Sequence, residues 1–414
     1  MGISQSDINI LRELGKRYME IATLPIQQEK TNLWKSLNRG KMERPMVVID
    51  QLPWHELFVQ DELACKVSDP FWRDIELNLR MTIFRWTKFP VDMVVEPFIT
   101  IPRAINNTGY GIQSNVDTLK HSKYSSILSQ HYNNVIASID DVSKIQDMEI
   151  THNKEVTNMR LQQALEIFKD IAPIKLSGGI SFHLGVWDTL SMLMGVEPIY
   201  YALIDAPELL HAAMDRITDA TIAGIEKANE LKVHNDLAST CHCSYIYTDD
   251  LLPDSGSGKG PISQNCWAFG MAQLFTSVSP DVFKEFELPY ITKMAKYFSN
   301  IYYGCCERLD NQLDLVATIP NIRKVSCSPW NNVYAFSERL NKKLILSNKP
   351  NPAYIGADSV NYSVIKNDLQ KTCDAARRNN LNVEFILKDI STVHYDIERL
   401  SNWSKIAMDI VENY

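Results

Sequence analysis

The chain has 414 residues, 45% of them hydrophobic and 22% charged, with a net charge of −8. That length supports one large α/β domain with extensions or two ordinary domains, and the composition is that of a globular protein. No basic block is present to neutralise phosphates, which argues against a nucleic-acid partner, and no run of ~18 apolar residues suggests a membrane span.

The first forty residues, opening "MGISQSDINILRELGKRYMEIATLPIQQEK", carry charges throughout an amphipathic helical pattern and do not read as a signal peptide. With no secretory signal, the eight cysteines are expected as thiols or metal ligands in a cytoplasmic protein, not as a disulfide framework. The boundary near "NRGKMERP" divides an N-terminal helical extension, residues 1–43, from the remainder, residues 44–414.

Next comes a short apolar strand, "RPMVVIDQ", then turn chemistry and the helical "PFWRDIELNLRMTIFRW". From Asp92 onward short apolar runs alternate with helices: "DMVVEPFIT", "IKLSGGISFHLG", "STCHCSYIY", "NIYYGCCE", "IRKVSCSPW", "KLILSNKPNP" and "VEFILKDIST". Continuous apolar strands separated by helices indicate a parallel sheet covered on both faces. Their number predicts an α/β fold, a (β/α)8 TIM barrel, with a doubly wound sheet as the alternative; no glycine-rich nucleotide fingerprint follows any strand. The loop Leu251 to Gln264, "LLPDSGSGKGPISQ", reads equally as a lid or a solvated connector.

In such a barrel the C-terminal ends of the strands build the active site. Those ends offer Glu96, His183, Cys241, His242, Cys243, Cys305, Cys306, Glu307, Cys327, Lys349 and Asp389. Adjacent Cys305 and Cys306 point to opposite faces while the strand lasts, but a turn at its end frees both. Cys327 closes the next strand, within reach of its neighbour. Cys305, Cys306, Glu307 and Cys327 are therefore the expected metal ligands, with zinc as the ion and one position left for substrate. Plain packing of buried thiols and a redox pair are the competing readings. In an extended "TCHCS", Cys241 and Cys243 would face one way and His242 the other, so His242 joins Glu307 as a catalytic candidate. His55, Tyr110, His183, Trp187 and Lys349 are the candidate substrate-binding residues; each also has a packing or surface reading, and for Lys349 that is a snorkelling side chain.

The runs "SFHLGVWDTLSMLMGVEPIYYALIDAPELLHAAMDRIT", "YYGCCERLDNQLDLVATIPNIRKVSCSPW" and "VEFILKDISTV" resemble the uroporphyrinogen decarboxylase superfamily, on the side of its corrinoid (cobalamin)-dependent methyltransferases. The resemblance implies a TIM barrel, zinc, and transfer of a methyl group between a small molecule and a corrinoid held by a separate protein. Since the chain carries no cobalamin-binding module, the corrinoid protein is expected as a partner, and a homodimer is an open option. The arginine- and glycine-rich N-terminal motif of true uroporphyrinogen decarboxylases has no counterpart in the first hundred residues. The methyltransferases' histidine-x-cysteine falls on Tyr303, Gly304 and Cys305, and their last-strand cysteine falls within "KDISTV", which has none. A metal-independent decarboxylase using Arg80, Arg85 and Arg103, and a non-catalytic barrel, are the alternatives.

Overall fold

The computed structural model describes residues 3–120, 128–177, 179–251 and 261–414. Its centre is a parallel sheet of six strands: β1 (Met46–Ile49), β2 (Trp267–Gly270), β3 (Asn300–Tyr303), β4 (Ile322–Cys327), β5 (Ile345–Asn348) and β6 (Asn382–Leu387). Their order across the sheet is β1-β6-β5-β4-β3-β2. Every residue of β1, β2, β3 and β5 is buried because both faces are covered, including the polar Asn300 in β3 and Ser347 and Asn348 in β5.

Alternation along each strand sorts side chains into two layers. Val47, Ile49, Phe385 and Leu387 pack outward against the helices Tyr362–Asn379 and Glu398–Glu412, around Leu369 and Trp403. Met46, Val48, Ile345 and Ile386 face inward, where Trp34 and Tyr245 meet them. The two N-terminal helices, Gln5–Ala22 and Pro25–Asn38, are part of this arrangement. Ser4 caps the first by accepting from the Asp7 N–H, and Pro25 opens the second at a position that needs no donor. The second helix sends the Trp34 Nε1–H to the Asp92 carbonyl (2.9 Å) and the Asn38 amide to the carbonyls of Tyr245 (3.1 Å) and Tyr247 (2.8 Å), closing the inner face from one end.

Among the described residues an α/β fold with a parallel sheet is present, but continuous pairing does not run around an eight-stranded circuit. Beyond β1 a single backbone–backbone bond links the Asp92 N–H to Val47 O (3.0 Å), and beyond β2 a single bridge joins Phe269 to His183. A separate parallel pair, Ile99–Pro102 with Ile174–Ser177, lies between these points in the chain. A further isolated parallel bridge joins Ile180 to His234, with the Ile180 N–H donating to Val233 O (2.8 Å) and the Asn235 N–H to Ile180 O (3.2 Å). Gly179 permits that approach, since a Cβ there would lie 1.3 Å from the Val233 carbonyl oxygen. Residues 252–260, most of the expected lid, lie outside the described residues.

The junction at Val233–Asn235 makes stability depend on pH. His234 is 1% exposed between Phe182 and Phe298, with Nε2 3.1 Å from Ile225 O, and burial pushes its pKa down to about 4. The unfolded chain takes up this proton near 6.5, whereas the fold resists it until about 4. The stabilisation is therefore complete above pH 6.5 and is lost as the pH falls towards 4, by on the order of 3 kcal/mol. Urea titrations between pH 7.5 and 4.5 should show this loss, and His234→Gln should flatten it; parallel curves for the two proteins would refute the assignment.

Candidate functional site

The site is built where β3 and β6 end. After Tyr303, Gly304 takes φ +92°, and a Cβ on it would sit 2.6 Å from Leu309 Cδ1, so the turn there requires glycine. Its N–H bonds Gly270 O at 2.8 Å, fixing the turn to β2. The turn brings the Cys305 and Cys306 sulfurs to 3.4 Å from each other. From the end of β6 come Lys388 and Asp389, the latter at φ +56°. The Cys306 Sγ lies 3.3 Å from Asp389 Oδ2. The ligand atoms of Cys305, Cys306 and Asp389 all fall within 4.8 Å of one another.

Lys388 ties this group together. Its ammonium is 2.6 Å from Asp389 Oδ2 and 3.3 Å from Cys305 Sγ, and the side chain is almost fully buried. A hydrogen bond from Cys306 and the Lys388 charge hold the Cys305 thiol below its usual range, while the bond to Cys305 and burial push Cys306 up. Of the two sulfurs, Cys305 is therefore the easier to deprotonate. Burial opposes the Lys388 charge, but Cys305 and Asp389 outweigh it and raise its pKa. Lys388→Met should slow alkylation of Cys305 by iodoacetamide at pH 7 by about tenfold, because thiolate is the reacting form. Peptide mapping reads the rate, and an unchanged rate would mean that the lysine does not set the thiolate.

These groups open onto a cavity of about 520 Å3, walled by Pro329, Trp330, Pro350 and Pro352 and floored by Lys349 and Lys388. Trp330 is 64% exposed at its edge.

The remaining expected residues are distributed differently. Glu307 is buried, and its carboxylate accepts the N–H groups of Cys305 (2.7 Å) and Ala272 (3.4 Å), so it shapes the loop instead of joining the ligand atoms. Burial raises its pKa. Cys327 packs in the helix-side core with Val325 and Leu346, away from the grouped sulfurs, and burial pushes its thiol up. Cys327 sits on the outward alternation of β4, whereas Lys324 and Ser326 carry buried polar contacts on the other face.

His242 lies inside the sheet. The segment Thr240–Tyr245 is a hairpin whose two-residue turn is His242–Cys243, at φ +46° and +67°. The imidazole stacks on Phe269 with centroids 3.7 Å apart, and its Nε2 has no partner among the described residues. Burial, then the charges of Lys349 and Lys388, push its pKa far down and keep it neutral. His183 sets its ring edge-on to Phe269 and lines a second cavity of about 180 Å3 beside His242.

Of the five substrate-binding candidates only Lys349 lines the larger cavity. His55 stands at the surface on the short helix Trp54–Leu57. Tyr110 bonds Thr221 (2.9 Å) in the helical layer. Trp187 is fully buried, its Nε1–H donating to Phe286 O at 2.8 Å. Arg80 and Arg85 are committed to Glu76 (2.8 Å) and to Ile49 O (2.7 Å).

Sequence reasoning placed Asp389 at a strand end without choosing it as a ligand, and it did not single out Lys388. The signal for both was the charged pair "KD" directly after the apolar "VEFIL".

No protein-family profile matches the chain, and no curated protein matches it. A methyltransferase from Methanosarcina mazei is similar in structure over 92% of this chain and 98% of that one, at a TM-score of 0.49 and 12% identity. A likeness at that level fixes no activity.

Proposed function

We propose that this protein is a methyltransferase that moves a methyl group between a small molecule and the corrinoid of a separate protein, with zinc held by Cys305, Cys306 and Asp389. The observation that carries this reading is the convergence of two sulfurs and a carboxylate, from two strand ends, on the wall of a cavity. The donor set fits the ion. Sulfurs on one tetrahedral zinc lie ~3.8 Å apart, close to the 3.4 Å between Cys305 and Cys306, and three protein ligands leave a fourth position open. If the six-stranded sheet and its isolated links form a (β/α)8 circuit, these residues would lie at its catalytic face.

When bound, zinc would supply Lewis acidity to a substrate sulfur or oxygen. The chain's own groups do the rest. Cys305 is the more easily deprotonated of the two thiols, Glu307 holds the loop that carries it, and Lys388 balances the anionic ligands. Trp330 and the prolines give one side of the cavity an apolar wall. In this reading Cys305, Cys306 and Asp389 take the place of a histidine-and-cysteine set, with Glu307 bracing the loop and Cys327 in the core apart from it.

Zinc analysis of the purified protein, followed by an assay for methyl transfer between methylcobalamin and small thiols, tests the reading. Near-stoichiometric zinc with zinc-dependent transfer is the expected result. Protein that takes up no zinc on reconstitution, and transfers no methyl group, would overturn it. No helix among the described residues is long and apolar enough to cross a membrane, so the assay needs no lipid phase on that account.

A further inference from the structure

Three lysines are buried on the inner face or at the ends of the inner strands: Lys324, Lys349 and Lys388. Lys324 has its own carboxylate in Glu384 (2.7 Å), and Lys388 has Asp389 (2.6 Å). Lys349, 3% exposed at the end of β5, forms no ion pair among the described residues. Its Nζ is held instead by two hydroxyls, those of Tyr302 and of Ser347 (3.1 Å for the latter). These hydroxyls bond each other at 2.8 Å, and Ser347 passes its proton to Glu384 at 2.6 Å.

This arrangement has a direction. Ser347 donates to Glu384, so its oxygen accepts from Tyr302, and the Tyr302 oxygen accepts an N–H of Lys349. Two N–H groups of Lys349 are thereby committed to Tyr302 and Ser347. A neutral amine so held keeps its lone pair for the remaining tetrahedral position, and Lys349 lines the 520 Å3 cavity. An ammonium buried without a counter-ion is costly, and the neutral amine relieves that cost.

We infer that Lys349 is a nucleophilic amine that forms an imine with an aldehyde or ketone entering the cavity walled by Trp330, Pro350 and Pro352. The inference goes beyond methyl transfer and requires no metal. Burial and the Lys388 charge bring the amine down to about 8 against the opposing pull of Glu384, Cys243 and Cys305, so a useful fraction is neutral near pH 7.5. In the reaction the Nζ lone pair forms a bond to the carbonyl carbon as the C=O π pair moves to oxygen. The nitrogen then gives up its protons to that oxygen, which leaves as water, and a C=N bond remains; nothing is oxidised or reduced. Tyr302, in hydrogen-bond contact with Nζ, is placed to carry the proton between the two atoms. Its own pKa lies well above 10, through burial first, so it returns to the phenol after each transfer.

The experiment uses the full chain, benzaldehyde at limiting concentration as the probe, and sodium borohydride to trap the imine as a benzylamine. Peptide mapping should find Lys349 modified about tenfold more than any exposed lysine. Lys349→Met and Lys349→Arg should lose that product while zinc content, measured in the same samples, stays unchanged. Zinc content thus decides the methyltransferase reading separately from the adduct. Exposed lysines modified with Lys349 untouched would overturn the inference in the wild-type protein itself, whatever the variants do. So would binding of benzoate at Lys349 with no aldehyde adduct, which would make the residue an ammonium anchor.

Discussion

Replacing Cys305 and Cys306 together by alanine is expected to lower zinc affinity by at least ~100-fold, since even loss of a supporting outer-shell group costs 10–100-fold. Zinc content after dialysis should fall to background, and methyl transfer should fall with it. Asp389→Asn should act in the same direction but less strongly, because the amide oxygen remains a weak donor while its charge is gone. The substitutions are well placed for the test because only Cys305 is buried, in a small cluster with Phe269 and Tyr302. Cys305 is 5% exposed on the cavity wall and Cys306 is half-buried, so removing the sulfurs should cost about 1 kcal/mol or less in stability. Melting temperature and zinc content are therefore separable readouts. If the double variant binds zinc as the parent does, the ion sits elsewhere and the reading fails.

The largest stability effect is expected at the centre of the sheet, away from the thiols. Lys324 and Glu384 are both fully buried and lie 2.7 Å apart, with Ser244 bonded to both (2.6 and 2.8 Å) and Ser347 to Glu384 (2.6 Å). Glu384→Ala would leave the Lys324 charge uncompensated and two hydroxyls without their acceptor, a loss of about 3–5 kcal/mol. Replacing both residues by apolar side chains of similar size, Lys324→Met with Glu384→Leu, should recover most of that loss, since a buried pair contributes little net stability beyond its own desolvation. Urea unfolding of the two variants makes the comparison. A drop below about 1 kcal/mol for Glu384→Ala would mean that water reaches the pair. The same network holds Lys349 through Ser347 and Tyr302, so Glu384→Ala should also weaken the selective labelling of Lys349.

Local periodicity carries as far as three segments illustrate. For "NIYYGCCE" the strand, its burial on both faces and its sulfur-bearing end were readable, because three apolar residues followed by glycine mark a buried strand and its end. For "TCHCS" the same alternation rule fails, because His242 and Cys243 occupy a tight turn at positive φ, where asparagine or glycine would have been the usual signal. The turn survives without them because Phe269 and Tyr302 hold the imidazole in place. Trp187 is a third case. A tryptophan after a strand end suits a substrate wall and a helix staple equally, and only the Phe286 carbonyl opposite its Nε1–H selects the staple.

The sequence by itself determined the parallel α/β character, the covering of both sheet faces and the placing of thiols at a strand end, since these follow from local patterns of apolar and small residues. Tertiary structure alone decided that Asp389, 83 residues after Cys306, meets its sulfur, that Cys327 turns outward, and that Lys349 has among the described residues no carboxylate paired with it as its neighbours have. Those outcomes depend on which strands lie side by side and in what register, and distances of a few ångströms between remote residues leave no trace in local periodicity.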